Sequence, residues 1–307
     1  MIIFLTYFSL LIAFVAIVAK VFKYITTPEH LRWELYPVPH EKGRSKYGGS
    51  YFEELDWWSK PRRTDMFNEL KEMAEEIFLL KGVYRNNKRV WKSSFPFHIG
   101  MYLSIGWLVL LLIGAVLEGN GIAVSSSAGV IGRVIYFATL IFGYSGLILT
   151  GIGAFGLFLW RISNSEQRIY NAPADYINLI LFDIVILISL ISHFTVDSGF
   201  SIIRGYVHSL LTFSTVKSIP GIMELEIVLI SLLIMYIPLG RMSHFVAKYF
   251  LYHSVRWNDE PNERGSKIEK SLMKLLQSKV GWSAPHIQTE KPWIELVKET
   301  GDEQKTD

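Results

Sequence analysis

The sequence predicts an all-α membrane protein: a five-helix transmembrane bundle with a long cytoplasmic segment between helices 1 and 2 and a cytoplasmic C-terminal tail. Three observations carry that prediction. Half of the 307 residues are hydrophobic and only 19% are charged, below the roughly 25% of an ordinary soluble domain. The apolar residues lie in five blocks long enough to span a bilayer, and the charges lie between the blocks. The 31 Lys and Arg residues are also divided unevenly, with only Arg133, Arg204 and Lys217 on one side of the spans. The pattern excludes an ordinary soluble enzyme. A net charge of +3 is too small to imply nucleic acid. Zero cysteines exclude disulfides, Cys-ligated zinc and Cys-ligated iron–sulfur clusters within the chain.

The first block covers about residues 2–24. A helix rising ~1.5 Å per residue needs ~20 residues to cross a ~30 Å hydrocarbon core, so this block is long enough. It lacks the basic start and small-residue cleavage site of a signal peptide, and Lys20 and Lys23 come at its end. It reads as an uncleaved anchor. Four further blocks follow at about 97–118, 130–160, 176–196 and 223–245. The block 130–160 exceeds what a span needs, so it tilts or extends beyond the membrane. The organisation is then a first span (1–24), a polar segment (25–95), a four-helix core (96–245) and a tail (246–307).

Basic residues set the orientation. The other 28 lie at or beyond the opposite ends of the spans, and the short connection 161–175 carries Arg161 and Arg168 whereas 119–129 carries no basic residue. The N-terminus is therefore expected outside, with 25–95 and 246–307 cytoplasmic. Segment 25–95 is too long for a simple connector. Its stretch LRWELYPVPHEKGRSKYGGSYFEELDWW reads as ordered extended chain packed on something. A helix is expected over 65–81, capped by Thr64 or Asp65 and ended by Gly82. Met66, Leu70, Met73 and Ile77 recur at helical spacing, with Phe67, Ala74 and Phe78 beside them. Such a helix packs on the protein's own surface or docks a cytoplasmic partner, for which Trp57 and Trp58 offer further anchors. A membrane-surface helix is the least expected use, because its polar face is rich in Glu. The tail beyond Lys291 is polar and reads as loosely ordered.

Topology sorts the eight histidines. His30, His40, His253 and His286 fall in aqueous segments and read as surface or loop histidines. His98 opens the second span and His244 ends the fifth. These two spans run in opposite directions, so both imidazoles sit near the cytoplasmic edge at similar depth. Two imidazoles at one depth on different helices are what a bis-His haem b needs, with iron taking one nitrogen from each side. A polar contact or a proton site is the other reading of a membrane histidine. Arg241, three residues before His244, is placed to pair with a haem propionate or to snorkel at the interface. Gly143, Gly146, Gly151, Gly153 and Gly156 allow close approach by a flat cofactor or, more commonly, by another helix.

With these residues the chain resembles the gamma-subunit family of respiratory nitrate reductase. The layout agrees over roughly 95–257: five spans, a histidine early in the second, and R-x-x-H at the end of the fifth. The stretch LRWELYPVPHE resembles the branch associated with heterodisulfide-reductase-like iron–sulfur proteins. The resemblance implies a haem b subunit of an anaerobic respiratory complex in a prokaryotic cytoplasmic membrane. It also implies a menaquinone-like quinone as substrate and a cytoplasmic iron–sulfur partner. The family's inner haem carries over to His98 and His244. Its outer-haem ligand positions hold Leu108 and Glu226 here, so the outer haem does not carry over at those positions.

His193 and His208 share the outer leaflet. They ligate a second haem, line a quinone pocket with Asp197 and Arg204, or face water as interfacial histidines. Asp183, in the middle of the fourth span, is a costly group. It moves protons for quinone or hydrogen-bonds a neighbouring helix. Glu224 and Glu226 read as ordinary groups near the outer mouth. Lacking cysteines, the chain needs a partner to hold iron–sulfur clusters. Two alternatives remain, a haem-free membrane anchor for such a complex and a small transporter; five spans without an evident repeat argue against the transporter.

The expected orientation is checked with one cysteine, since the native chain has none. A cysteine replacing Gly49 should resist an impermeant thiol reagent in intact cells and react after permeabilisation. Reaction in intact cells would invert the topology.

Overall fold

The computed structural model describes residues 1–26, 38–44, 50–61, 64–216, 218–258, 263–284, 287 and 289–303. His30, Gly49, Lys217, His286 and most of the stretch 31–41 lie outside these residues. Among the described residues the chain is all-helical, with only isolated β-bridges. The elements in order are α1 (Ile2–Thr26), α2 (Met66–Phe78), α3 (Lys81–Asn86), α4 (Lys88–Gly119), α5 (Val130–Ser163) and α6 (Ser165–Tyr170). There follow α7 (Pro173–Thr195), α8 (Ser201–Thr212), α9 (Gly221–Leu239), α10 (His244–Phe250), α11 (Lys267–Leu276) and α12 (Trp293–Glu303). Five of these, α1, α4, α5, α7 and α9, are long and apolar enough to cross a membrane. Two compact units divide the chain: Met1–Ala16 with Lys71–Met242, and Ile17–Leu70 with Ser243–Asp307.

The first unit is built around the seam between α4 and α5. The glycines of α5 serve approach by a helix, the commoner of the two uses. A Cβ on Gly153 would lie 2.3 Å from the backbone nitrogen of Phe97, and one on Gly146 would lie 2.8 Å from that of Ser104. Across the same seam, a Cβ on Gly100 would lie 2.3 Å from the backbone nitrogen of Thr150. Backbones this close gain dispersion contact that larger side chains would prevent, and in lipid such packing replaces the hydrophobic drive. Phe97, Ala154, Leu179, Phe182, Val185 and Leu233 bury a cluster that joins α4, α5, α7 and α9. At the other end of the bundle, Trp107, Leu111, Phe200, Ile203, Tyr206 and Met223 form a second cluster. The start of α1 joins it through Thr6, whose hydroxyl lies 2.7 Å from the Tyr206 hydroxyl and 3.0 Å from that of Ser231.

Several boundaries differ from those expected. The second span starts nine residues early, at Lys88, because Asn87 caps it by accepting from the Val90 amide at 3.1 Å. The fifth helix stops at Leu239, not near 245. Pro238 has no N–H to donate and Gly240 is a poor helix former, so the chain leaves the helix and makes a 3-10 turn over Arg241–Ser243. Arg241 and His244 therefore do not share one continuous helical face. α2 ends at Phe78; Leu80 turns the chain at φ 51°, and Gly82 lies inside α3 instead of ending α2. The tail is not loosely ordered after Lys291: α12 forms there, Leu296 is buried, and α11 and α12 pack together. Composition missed this because the apolar residues are few but fall on one helical face.

In the second unit, the Glu69 carboxylate receives two histidines. His253 Nε2 lies 2.8 Å from Oε1 and His40 Nδ1 lies 3.3 Å from Oε2. These two were expected as plain surface histidines. Trp57 packs on Phe52 with ring centroids 4.2 Å apart, while Trp58 is exposed.

The seam predicts unequal responses to one change. Gly153→Ala should lower the melting temperature in detergent markedly, because its neighbour is backbone and cannot yield. Gly205→Ala in α8 has open space and should be neutral or stabilise by up to ~1 kcal/mol. Equal responses in a thermal-shift assay would contradict the seam.

Candidate functional site

α7 ends, and α9 begins, at the Trp107 end of the first unit. His193 sits near the last turn of α7 and Glu226 one to two turns into α9. Both are fully buried, and His193 Nε2 lies 2.9 Å from Glu226 Oε1. The other ring nitrogen, Nδ1, lies 3.3 Å from the Asp197 carbonyl oxygen. A carbonyl only accepts, so Nδ1 carries a hydrogen. Nε2 and a carboxylate oxygen cannot both present lone pairs at 2.9 Å without repulsion, so one of them carries a proton. The choices are imidazolium facing carboxylate, or neutral imidazole facing carboxylic acid. In either case the pair carries one proton besides that on Nδ1 and is neutral overall.

The contact is close but not aligned as a hydrogen bond, and neither Glu226 oxygen has another hydrogen-bond partner among the described residues. Three nearby or adjoining donors are in the same condition: Trp107 Nε1, Ser189 Oγ and Ser192 Oγ are buried without partners. Trp107 sets its ring edge-on to His193 at 5.7 Å, and Phe200 lies 4.4 Å from it. Phe200 holds a left-handed φ of 56°, a cost of order 1–3 kcal/mol for a non-glycine residue. Full burial of its ring against Trp107, Tyr144 and His193 offsets that cost. The cluster is thus polar at its centre, apolar at its walls and closed to bulk water.

Asp197 and Arg204 brace this end instead of pointing freely into it. Asp197 accepts from the amides of Ser201, Ile202 and Ile203 at 2.7–3.0 Å, so its charge sits on the exposed N–H groups that open α8. Arg204, one turn further on, donates from Nη2 to Glu118 at 2.9 Å and to the Val124 carbonyl at 3.0 Å. Its Nε and Nη1 have no partners among the described residues. His208 lies against Gly119, where a Cβ would be 2.9 Å from Nε2. It makes no hydrogen bond or ring contact with His193 among the described residues.

Glu226 Oε1 lies beside His193 Nε2, and the Trp107 and Phe200 rings pack on the imidazole. Glu226, read from sequence as an ordinary mouth residue, is instead the partner of His193. Its position several residues inside an apolar block was the available signal.

At the opposite end of the bundle, His98 is half-buried on α4. Its Nδ1 lies 2.7 Å from the Ser94 carbonyl, so Nδ1 donates there and Nε2 bears the lone pair when the ring is neutral. That is the arrangement by which a second hydrogen bond orients a metal-binding imidazole. His244 is exposed at the start of α10 in the second unit, and Arg241 is exposed on the preceding turn. Asp183 is half-buried at the edge of the lipid-facing stripe of α7, beside exposed Ile184 and Leu187. Among the described residues no group of three or more His, Asp or Glu converges to hold a metal ion.

Comparison with protein-family models, curated proteins and solved structures gives no match for this chain.

The pairing of His193 with Glu226 predicts a strong coupling. Glu226→Ala should destabilise by about 3–5 kcal/mol, since it leaves His193 buried without its partner. The combined change His193→Leu with Glu226→Leu should recover much of that loss. Additive effects of the separate changes in a denaturation cycle would contradict the pair.

Proposed function

We propose that the chain is a membrane haem b subunit of a redox complex. It exchanges electrons between a membrane quinone of the menaquinone type and an iron–sulfur partner on the cytoplasmic side. The observation that carries this reading is His98: an imidazole inside a span, near one edge, oriented by the bond from Nδ1 to the Ser94 carbonyl, which assigns the lone pair of the neutral ring to Nε2. His98 and His244 would hold the haem iron in this reading, and Arg241 would pair with a propionate. When bound, haem b supplies one-electron redox chemistry. The protein's residues do the rest: His98 and His244 fix orientation, and the apolar spans exclude water.

Quinone chemistry also needs protons, and the His193–Glu226 pair supports that part. It holds a proton in a closed site at the Trp107 end of the bundle, the outer leaflet in this orientation. Unpartnered Trp107 Nε1–H and Ser192 Oγ–H offer donors to a quinone oxygen, and Glu226 offers an acceptor to a quinol hydroxyl. Trp107 lies nine residues beyond His98 on α4, about 14 Å along the axis at ~1.5 Å per residue. Quinone handled there need not send its electrons across the whole ~30 Å core. Asp183 is a second proton group on the way. Without cysteines the chain cannot hold the clusters that continue the path, so the iron–sulfur partner is required.

The variants His98→Ala and His244→Ala test the reading. Each should abolish the haem absorbance of the purified protein while leaving the bundle folded. Either variant with full haem content and an unchanged spectrum would remove that residue from the iron. A wild-type protein without haem would leave the chain as the anchor of such a complex.

A further inference from the structure

α2 carries an apolar stripe of which Met66, Phe67, Leu70 and Phe78 are exposed, and Leu79 continues it. At 100° per residue, Met66, Phe67, Leu70, Met73, Ala74, Ile77 and Phe78 fall in one arc. Glu69, Glu72, Glu75 and Glu76 fall in the opposite arc. The glutamates argue against a lipid surface only if their charges are uncompensated, and each is engaged within the chain. Lys81 Nζ lies 2.6 Å from both Glu72 and Glu75. That hydrogen bond holds the Glu75 carboxyl below its usual range. Glu76 accepts from the Gly82 amide at 2.8 Å. Glu69 meets His253 at 2.8 Å.

The C-terminal end of α2 is also tied to a membrane span. The Tyr102 hydroxyl donates to the Ile77 carbonyl at 3.0 Å, and Phe78 stacks edge-on against the Tyr102 ring at 5.8 Å. Trp91 Nε1 donates to the Leu79 carbonyl at 2.8 Å and packs on Tyr84. Tyr102 belongs to the apolar part of α4. Helical side chains point back toward the N-terminus, so its hydroxyl reaches the level where the apolar stretch begins. Trp and Tyr belong at such a boundary. The C-terminal end of α2 is therefore held against α4 near the start of its apolar stretch, while Met66, Phe67, Leu70 and part of Phe78 stay exposed.

We propose that α2 is an interfacial helix whose apolar stripe lies in the headgroup–acyl boundary of the bilayer that α4 crosses. Its partner is a lipid surface. Lys71, at the border of the stripe and 3.9 Å from Glu75, carries its ammonium at the edge of the acidic face, where it would meet headgroups. The inference is independent of the haem and quinone reading. It gives α2 a different use from partner docking.

A cysteine scan decides it. Single cysteines at Phe67, Leu70 and Phe78, and at Glu72 and Glu75, carry an environment-sensitive fluorophore in the otherwise cysteine-free chain. The purified protein is placed in phosphatidylcholine vesicles with acyl chains brominated near the headgroup. Bromolipid should quench the probes at Phe67, Leu70 and Phe78 several-fold more than those at Glu72 and Glu75. Aqueous iodide should show the reverse order. Iodide quenching at all five positions, with no bromolipid effect, would overturn the proposal by placing α2 in water. Protection of the apolar positions from both quenchers would overturn it too, by showing that protein covers the stripe.

Discussion

Hydrocarbon supplies no hydrogen bonds, and that constraint organises this molecule. A polar side chain buried between the spans is costly unless it finds a partner. His193 and Glu226 meet across two helices at 2.9 Å with neither exposed. Asp197 spends its charge on the opening amides of α8, and Arg204 spends part of its own on Glu118 and the Val124 carbonyl. These contacts fix where α7 ends and how α8 starts. They also position the Phe200 ring against His193. The glycine seam between α4 and α5 meets the same constraint differently, by bringing backbones together where no polar pair is needed.

The pieces left unsatisfied are as informative as those that are paired. Trp107 Nε1, Ser189 Oγ, Ser192 Oγ and Glu226 Oε2 are buried without partners among the described residues. Such atoms each cost of order 1–3 kcal/mol unless something hydrogen-bonds them. Around the His193–Glu226 pair they leave both donors and acceptors unmatched. Leu108 is exposed, whereas Glu226 is buried against His193.

Legibility in the sequence followed the range of the interaction. The five spans were readable because each is a contiguous apolar run, and span length is set by bilayer thickness. The His193–Glu226 pair was not, because its members are 33 positions apart and sequence assigns each only a depth. Glu226 was passed over for its proximity to the helix start, although an acid within an apolar block already signals a partner. The break after Leu239 was written in Pro238 and Gly240, but the R-x-x-H pattern drew attention to a continuous helix. For α2 the Glu-rich face was visible and its compensation was not, since Lys81 and the Gly82 amide come from the following turn.

The central claim is that this bundle carries haem b as an electron-transfer subunit. The most direct measurement is the haem-to-protein ratio of the purified wild-type chain, read from its reduced-minus-oxidised visible spectrum and pyridine haemochrome. The account predicts one b-type haem per chain, reducible by a menaquinol analogue. A preparation that is folded, monodisperse and free of haem after expression with ample haem supply would contradict it.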